Sequence, residues 1–174
     1  MTGDEAPLGG PAARPGTGSD DDLSTEHGID AMDPADHGMI EIDIPSRVDL
    51  VAVVRMVVAA ATNAVGALQG DRLDDLRWVT SEATTNAIQA NLSTNERGEG
   101  RVAITCEVDE GVVRLSVKDE GPGMPEHYEV PDITHPDRLL IEGAFGIPLM
   151  ERLASACQFV SAATGTTVNM ELYQ

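Results

Sequence analysis

An α+β two-layer sandwich, with helices on one face of a mostly antiparallel sheet, is the fold class that three features of this sequence predict. Segments in which apolar and polar residues alternate occur at 40–44, 101–108, 112–117, 157–162 and 167–172. Such alternation marks a strand with one buried face. Two longer runs, 47–65 and 71–92, carry apolar residues at helical spacing and stand between the first strand and the second. The tripeptide Asp109-Glu110-Gly111 joins two strands as a short hairpin connection.

Taken in order, residues 1–38 are rich in Gly, Pro, Asp and Ser and hold nine acidic groups against one basic group, Arg14. Such a stretch buries too little apolar surface to offset its chain entropy, so it is expected to be a disordered acidic tail preceding one domain over 39–174. Ile40, Ile42 and Ile44 alternate with Glu41 and Asp43 until Pro45 stops the strand. Ser46 followed by Asp49 resembles a capping box. It would open a helix over 47–65 that carries Leu50, Val53, Val54, Val57, Val58 and Ala61 on one stripe, with Gly66 and Gly70 ending it.

The second helix is expected from Asp71 or Arg72 to about Leu92, followed by a polar loop over 91–100. After the hairpin, residues 124–141 form a long stretch with three prolines and no periodicity. Loops of that length usually serve a function. A short helix over 147–153 and two last strands with a turn at Thr164-Gly165 complete the chain.

The 174 residues are 41% apolar but only 3% aromatic, so the core must be aliphatic. A net charge of −19 argues against nucleic acid or an anionic membrane as the main partner, since both require a basic surface. No uninterrupted run of eighteen apolar residues is present, and the first residues lack a basic n-region and an apolar h-region, so neither a membrane span nor a secretory signal is expected. Cys106 and Cys157 lack metal-ligand spacing. Both read as buried free thiols, and a cytoplasmic location is expected.

Three stretches could carry chemistry. Glu82 and Asn86, four residues apart, rise from one helix face amid Val79, Ala83, Ala87 and Ile88. A carboxylate there can accept a proton, and an amide oxygen is a hard ligand suited to Mg2+; the same pair also fits an ordinary amphipathic helix with a solvated Asn. Asp119 ends a strand and is followed by Gly121 and Gly123. Its carboxylate could accept a hydrogen bond from an exocyclic amine, while the glycines admit a ligand to the backbone; a tight turn would use the same residues. Gly143-Ala144-Phe145-Gly146 opens a helix, where free backbone N–H groups suit phosphate, although its glycines would also serve a chain reversal.

In this order the three stretches resemble the Bergerat-type ATP-binding fold, the superfamily of histidine kinases, Hsp90 chaperones, type II topoisomerase ATPases and MutL-like proteins. The segments Ser81-Glu82-Ala83-Thr84-Thr85-Asn86-Ala87-Ile88 and Val117-Lys118-Asp119-Glu120-Gly121-Pro122-Gly123-Met124 are most similar to those of the anti-sigma-factor serine/threonine kinases. The resemblance implies that Glu82 is the general base and that Asn86 holds Mg2+ on the phosphates of ATP. It further implies that Asp119 reads adenine with help from Thr166, and that Gly121 and Gly123 shape that end of the pocket. Ala144, Phe145 and Gly146 would lie under the phosphates, with residues 124–142 as a lid and Arg138 in reach of the γ-phosphate.

The resemblance also implies partners: a sigma factor to sequester, and an anti-anti-sigma factor as phosphorylation substrate. A homodimer is expected, and helix residues 47–66 offer a face for a second copy or for the sigma factor. The sequence departs from the family pattern at Ala144, where a glycine is common, and at Phe145, where a basic residue is common nearby but Glu142 precedes. Ala90 replaces a frequent histidine. The alternatives are an anti-sigma binding module of the same fold without kinase activity and a stand-alone ATPase.

Overall fold

The computed structural model describes residues 38–94, 100–124 and 146–174, all within the unit Pro34–Gln174. The expected tail over 1–38 lies, apart from Gly38, outside the described residues. Strand β1 (Gly38–Pro45) is followed by a single 3-10 turn (Val48–Leu50) and helices α1 (Val51–Val65) and α2 (Asp71–Thr94). The hairpin of β2 (Arg101–Asp109) and β3 (Val112–Lys118), helix α3 (Gly146–Leu153), β4 (Ala156–Ala162) and β5 (Gly165–Tyr173) complete it.

The five strands form one sheet in the order β1-β2-β3-β5-β4, each neighbouring pair antiparallel. The period-two pattern becomes apolar rows that cross the sheet. One row runs Ile42, Ile104, Val117, Val168, Phe159, and the next runs Ile40, Cys106, Leu115, Met170, Cys157. These rows meet α1 through Val54 and Val58, α2 through Leu76, Val79, Ala83 and Ile88, and α3 through Met150. The other sheet face carries ion pairs such as Arg101–Asp43 at 2.8 Å and Arg114–Asp109 at 2.7 Å. Exposed pairs of this kind add little to stability.

Helices placed against an aliphatic core must satisfy any hydroxyl they bury. Thr62, Thr80 and Thr84 are each fully buried, and each donates to the carbonyl four residues back at 2.7–2.9 Å. Helix α1 ends as expected, at Gly66 in the left-handed region (φ 72°). The hairpin turn is Glu110-Gly111, with Gly111 at φ 72°.

Some local expectations are corrected. No capping box forms: Ser46 is buried and its Oγ donates to Gly100 O at 2.7 Å, whereas Asp49 accepts from Arg47. Helix α2 runs on to Thr94, because Ser93 and Thr94 turn their hydroxyls back onto Ala90 O and Asn91 O. The last turn is Ala163-Thr164, since Gly165 already pairs with Ala162. Val48–Val65 has a mean hydropathy of 1.8, enough by length and composition alone to cross a membrane. In the fold its α1 part packs on α2, burying Val54, Val58, Ala59 and Thr62. Of the two thiols, both free, Cys106 is buried and Cys157 is only partly so.

Candidate functional site

Helix α2 presents Glu82, Asn86 and Ala90 at successive four-residue steps, hence along one face. Glu82 and Asn86 stay partly exposed above the buried Val79, Ala83, Ala87 and Ile88. The start of α3 lies directly against them. A methyl group built on Gly146 would fall 2.8 Å from Glu82 Oε2, 3.0 Å from Asn86 Nδ2 and 3.3 Å from Asn86 Oδ1. A Cβ at this position would require those side-chain ends to shift, so a carboxylate, an amide and the first turn of a helix converge. Pro148 suits that first turn because its missing N–H would have had no intrahelical partner.

Among the described residues no group of three or more His, Cys, Asp or Glu forms a metal cage. A cation held at Asn86 would therefore take its other ligands from a bound phosphate and from water. Mg2+ commonly binds in that way, so the donor set fits it.

Asp119 is 5% exposed and fixed on three sides. Its N–H donates to Thr166 O at 2.9 Å, and its Oδ1 accepts from the N–H groups of Gly121 (2.8 Å) and Thr166 (3.1 Å). Among the described residues no donor engages Oδ2, which leaves that oxygen for an amine. Thr166 thus reaches Asp119 through its backbone. Gly121 lies on Ala90, where a methyl group would fall 2.8 Å from the alanine Cβ. Gly123, at φ 78°, would bring a methyl group to 2.2 Å from Ala162 O, and its conformation also belongs to a turn.

The fold brings Glu82, Asn86 and Gly146 into one cluster and Asp119, Gly121 and Thr166 into another. The face of α2 links the two through Ala90. Ala144 and Phe145 lie outside the described residues, as do Arg138, Glu142 and residues 125–142 of the expected lid. Sequence reasoning missed Asn91, which is buried at 2% exposure inside α2 rather than in a loop. A signal was available, because Asn91 continues the buried stripe of Thr84, Ala87 and Ile88. A polar residue in such a stripe must have partners.

Residues 44–172 match the family model of the histidine kinase-like ATPase domain. Serine-protein kinases RsbW of Bacillus velezensis and Bacillus subtilis are each 30% identical over 139 residues, which is 77% of this chain and 84% of theirs. The RsbW of Bacillus pumilus is 28% identical over 137 residues, covering 76% of this chain and 83% of its own. A solved structure of the RsbU and RsbW domains of a Mycobacterium tuberculosis protein superposes with a TM-score of 0.57 at 19% identity. That match covers 78% of this chain and 32% of the larger one, and it supports the fold. With the sheet, the helix layer and the two clusters in place, the chain belongs to the histidine kinase-like ATPase domains, in the serine-protein kinase family of RsbW.

Proposed function

We propose that the protein is an anti-sigma factor that binds ATP with Mg2+ and phosphorylates a serine or threonine of an anti-anti-sigma factor. Sequestration of a sigma factor by partner switching would be the regulatory output, in the cytoplasm. The observation that carries this reading is the close approach of Gly146 to Glu82 and Asn86, which supports it by bringing a carboxylate, an amide and a helix start together. The eight steps from Glu82 to Ala90 span about 12 Å of helix. A nucleotide laid along that face would have its phosphates at Gly146 and its base at Asp119.

In this reading Asn86 would hold Mg2+, which would neutralise charge on the phosphates. Glu82 takes the proton of the attacking hydroxyl. The serine or threonine oxygen then bonds to the γ-phosphorus as the bond to the β,γ-bridging oxygen breaks, and ADP leaves. Asp119 Oδ2 accepts from the adenine amine, Gly121 and Gly123 keep the loop close to α2 and β4, and Thr166 holds Asp119 in place. Ala144 and Phe145 would adjoin the phosphates beside Gly146.

A homodimer is part of the proposal. Helix α1 leaves Val53 and Met56, three residues apart on one face, exposed at 45% and 65%, a surface suited to a second copy. The competing reading, a sigma-binding module without phosphotransfer, draws on the absence of a basic residue from 142–146. Calorimetry of ATP with and without Mg2+, followed by phosphorylation of a candidate antagonist, separates the two. Magnesium-dependent binding with transfer that Glu82→Ala abolishes supports the kinase, and binding without transfer supports the module.

A further inference from the structure

The site's adenine end depends on a residue that touches neither phosphate nor base. Asn91 stands one residue beyond Ala90 and is buried where α2 meets the ends of three strands. Its Oδ1 accepts from Glu120 N at 2.7 Å, and its Nδ2 donates to Arg101 O at 2.9 Å and to Ser46 Oγ at 2.8 Å. Ser46 in turn donates to Gly100 O through both Oγ (2.7 Å) and N (3.0 Å). Gly100 permits this approach, since a methyl group there would lie 2.8 Å from Asn91 Cβ. One amide thus joins the end of β1, the start of β2 and the segment that follows Asp119.

We infer that Asn91 is a positioning residue for nucleobase recognition, acting through the backbone of Glu120; this rests on the ATP-binding reading above. Asp119 Oδ1 is tied to the N–H groups of Gly121 and Thr166, so rotation or retreat of the 119–121 segment carries the carboxylate with it. The bond from Glu120 N to Asn91 Oδ1 fixes that segment to α2, the helix that also holds Glu82 and Asn86. Arg101 N, which donates to Glu120 Oε2 at 3.1 Å, adds a second, exposed tie. At C6 adenine presents an amine from which a fixed carboxylate accepts, whereas guanine presents a carbonyl at that position, which it repels. Selectivity for ATP over GTP therefore depends on the Asn91 tie.

The test compares Asn91→Ala, Asn91→Asp and Ser46→Ala in the full chain, reading ATP and GTP affinity together with amide exchange in the nucleotide-free protein. Asn91→Ala should weaken ATP about tenfold, reduce ATP-over-GTP preference by a similar factor and speed exchange at Glu120 and Gly121. Asn91→Asp keeps an acceptor for Glu120 N and should hold ATP within about threefold of the unaltered chain. Ser46→Ala breaks the structural branch alone and should lower thermal stability while leaving base preference unchanged.

A folded Asn91→Ala protein with unchanged preference and unchanged exchange overturns the inference. So does a Ser46→Ala protein that loses preference to the same extent. If Asn91→Ala does not fold, Asn91→Asp decides: preference retained supports the inference and preference lost overturns it. Failure of the unaltered chain to bind ATP overturns the kinase reading, and this inference with it.

Discussion

The backbone of Gly146 is packed so closely on Glu82 that a methyl group in place of its hydrogen would lie 2.8 Å from the carboxylate oxygen. The neighbours that would have to yield, Glu82 Oε2 and the amide of Asn86, are ends of side chains. Gly146→Ala should therefore leave the thermal midpoint almost unchanged but displace the proposed base and metal ligand. Misplacement on the ångström scale costs roughly 100-fold in rate. Phosphotransfer to an anti-anti-sigma factor is the assay. An active Gly146→Ala enzyme would show that the contact is not part of the chemistry.

Gly165 makes the opposite case. Its φ of 143° and an ideal methyl position 2.2 Å from Asp119 O set a substitution against rigid backbone. Gly165→Ala should destabilise the chain by about 3 kcal/mol, through strain and displacement of the 119–121 segment. Denaturant unfolding reads the loss. ATP binding should weaken in whatever fraction remains folded.

Gly146 and Gly165 also show where the sequence stops being legible. The strands were readable because Ile104, Cys106 and Val108 keep a strict period of two, and the helices because Val54 and Val58 or Leu76, Val79 and Ala83 keep helical spacing. The residues named for the site were readable from Glu82 and Asn86 one turn apart and from Asp119 before two glycines. Their convergence was not, because nothing local to residue 146 states that it will lie on residue 82. Ser46 looks like a cap for the same reason: its partners, Gly100 and Asn91, are 54 and 45 residues away. Asn91 reads as the start of a loop because 91–100 is polar and glycine-bearing, although Ser93 and Thr94 bond back onto the helix.

Alkali should weaken the fold. Burial, with a smaller effect from Glu107, pushes the Cys106 thiol up from 9.0 to about 11. The unfolded chain releases this proton near 9, while the folded chain keeps it until about 11. Stability is thus fully present below the unfolded value and is lost as pH rises through this window, by up to roughly 2–3 kcal/mol for Cys106. Cys157, less buried, is shifted in the same direction. Urea unfolding across that range should show the decline, and Cys106→Ala should flatten it. An equal slope in the variant would assign the decline to other groups.

Arg72 holds the far end of the helix whose near end is Gly146. From the first turn of α2 it donates to Leu153 O at 2.9 Å, Tyr173 O at 2.8 Å and Ser155 Oγ at 2.9 Å, and it pairs with Asp75 at 2.7 Å. Its side chain is 27% exposed, so part of this network is shielded from water. Arg72→Ala leaves the last carbonyl of α3 and the end of β5 without that donor and should cost about 2–3 kcal/mol. Arg72→Lys keeps the charge near Asp75 but lacks the planar fork that serves three further acceptors, so it should recover less than half of the loss. Amide exchange locates the effect: it should quicken in α3 and at the end of β5 and stay slow in the β2–β3 hairpin. Full recovery by lysine would mean that charge alone, rather than the fork, anchors α3.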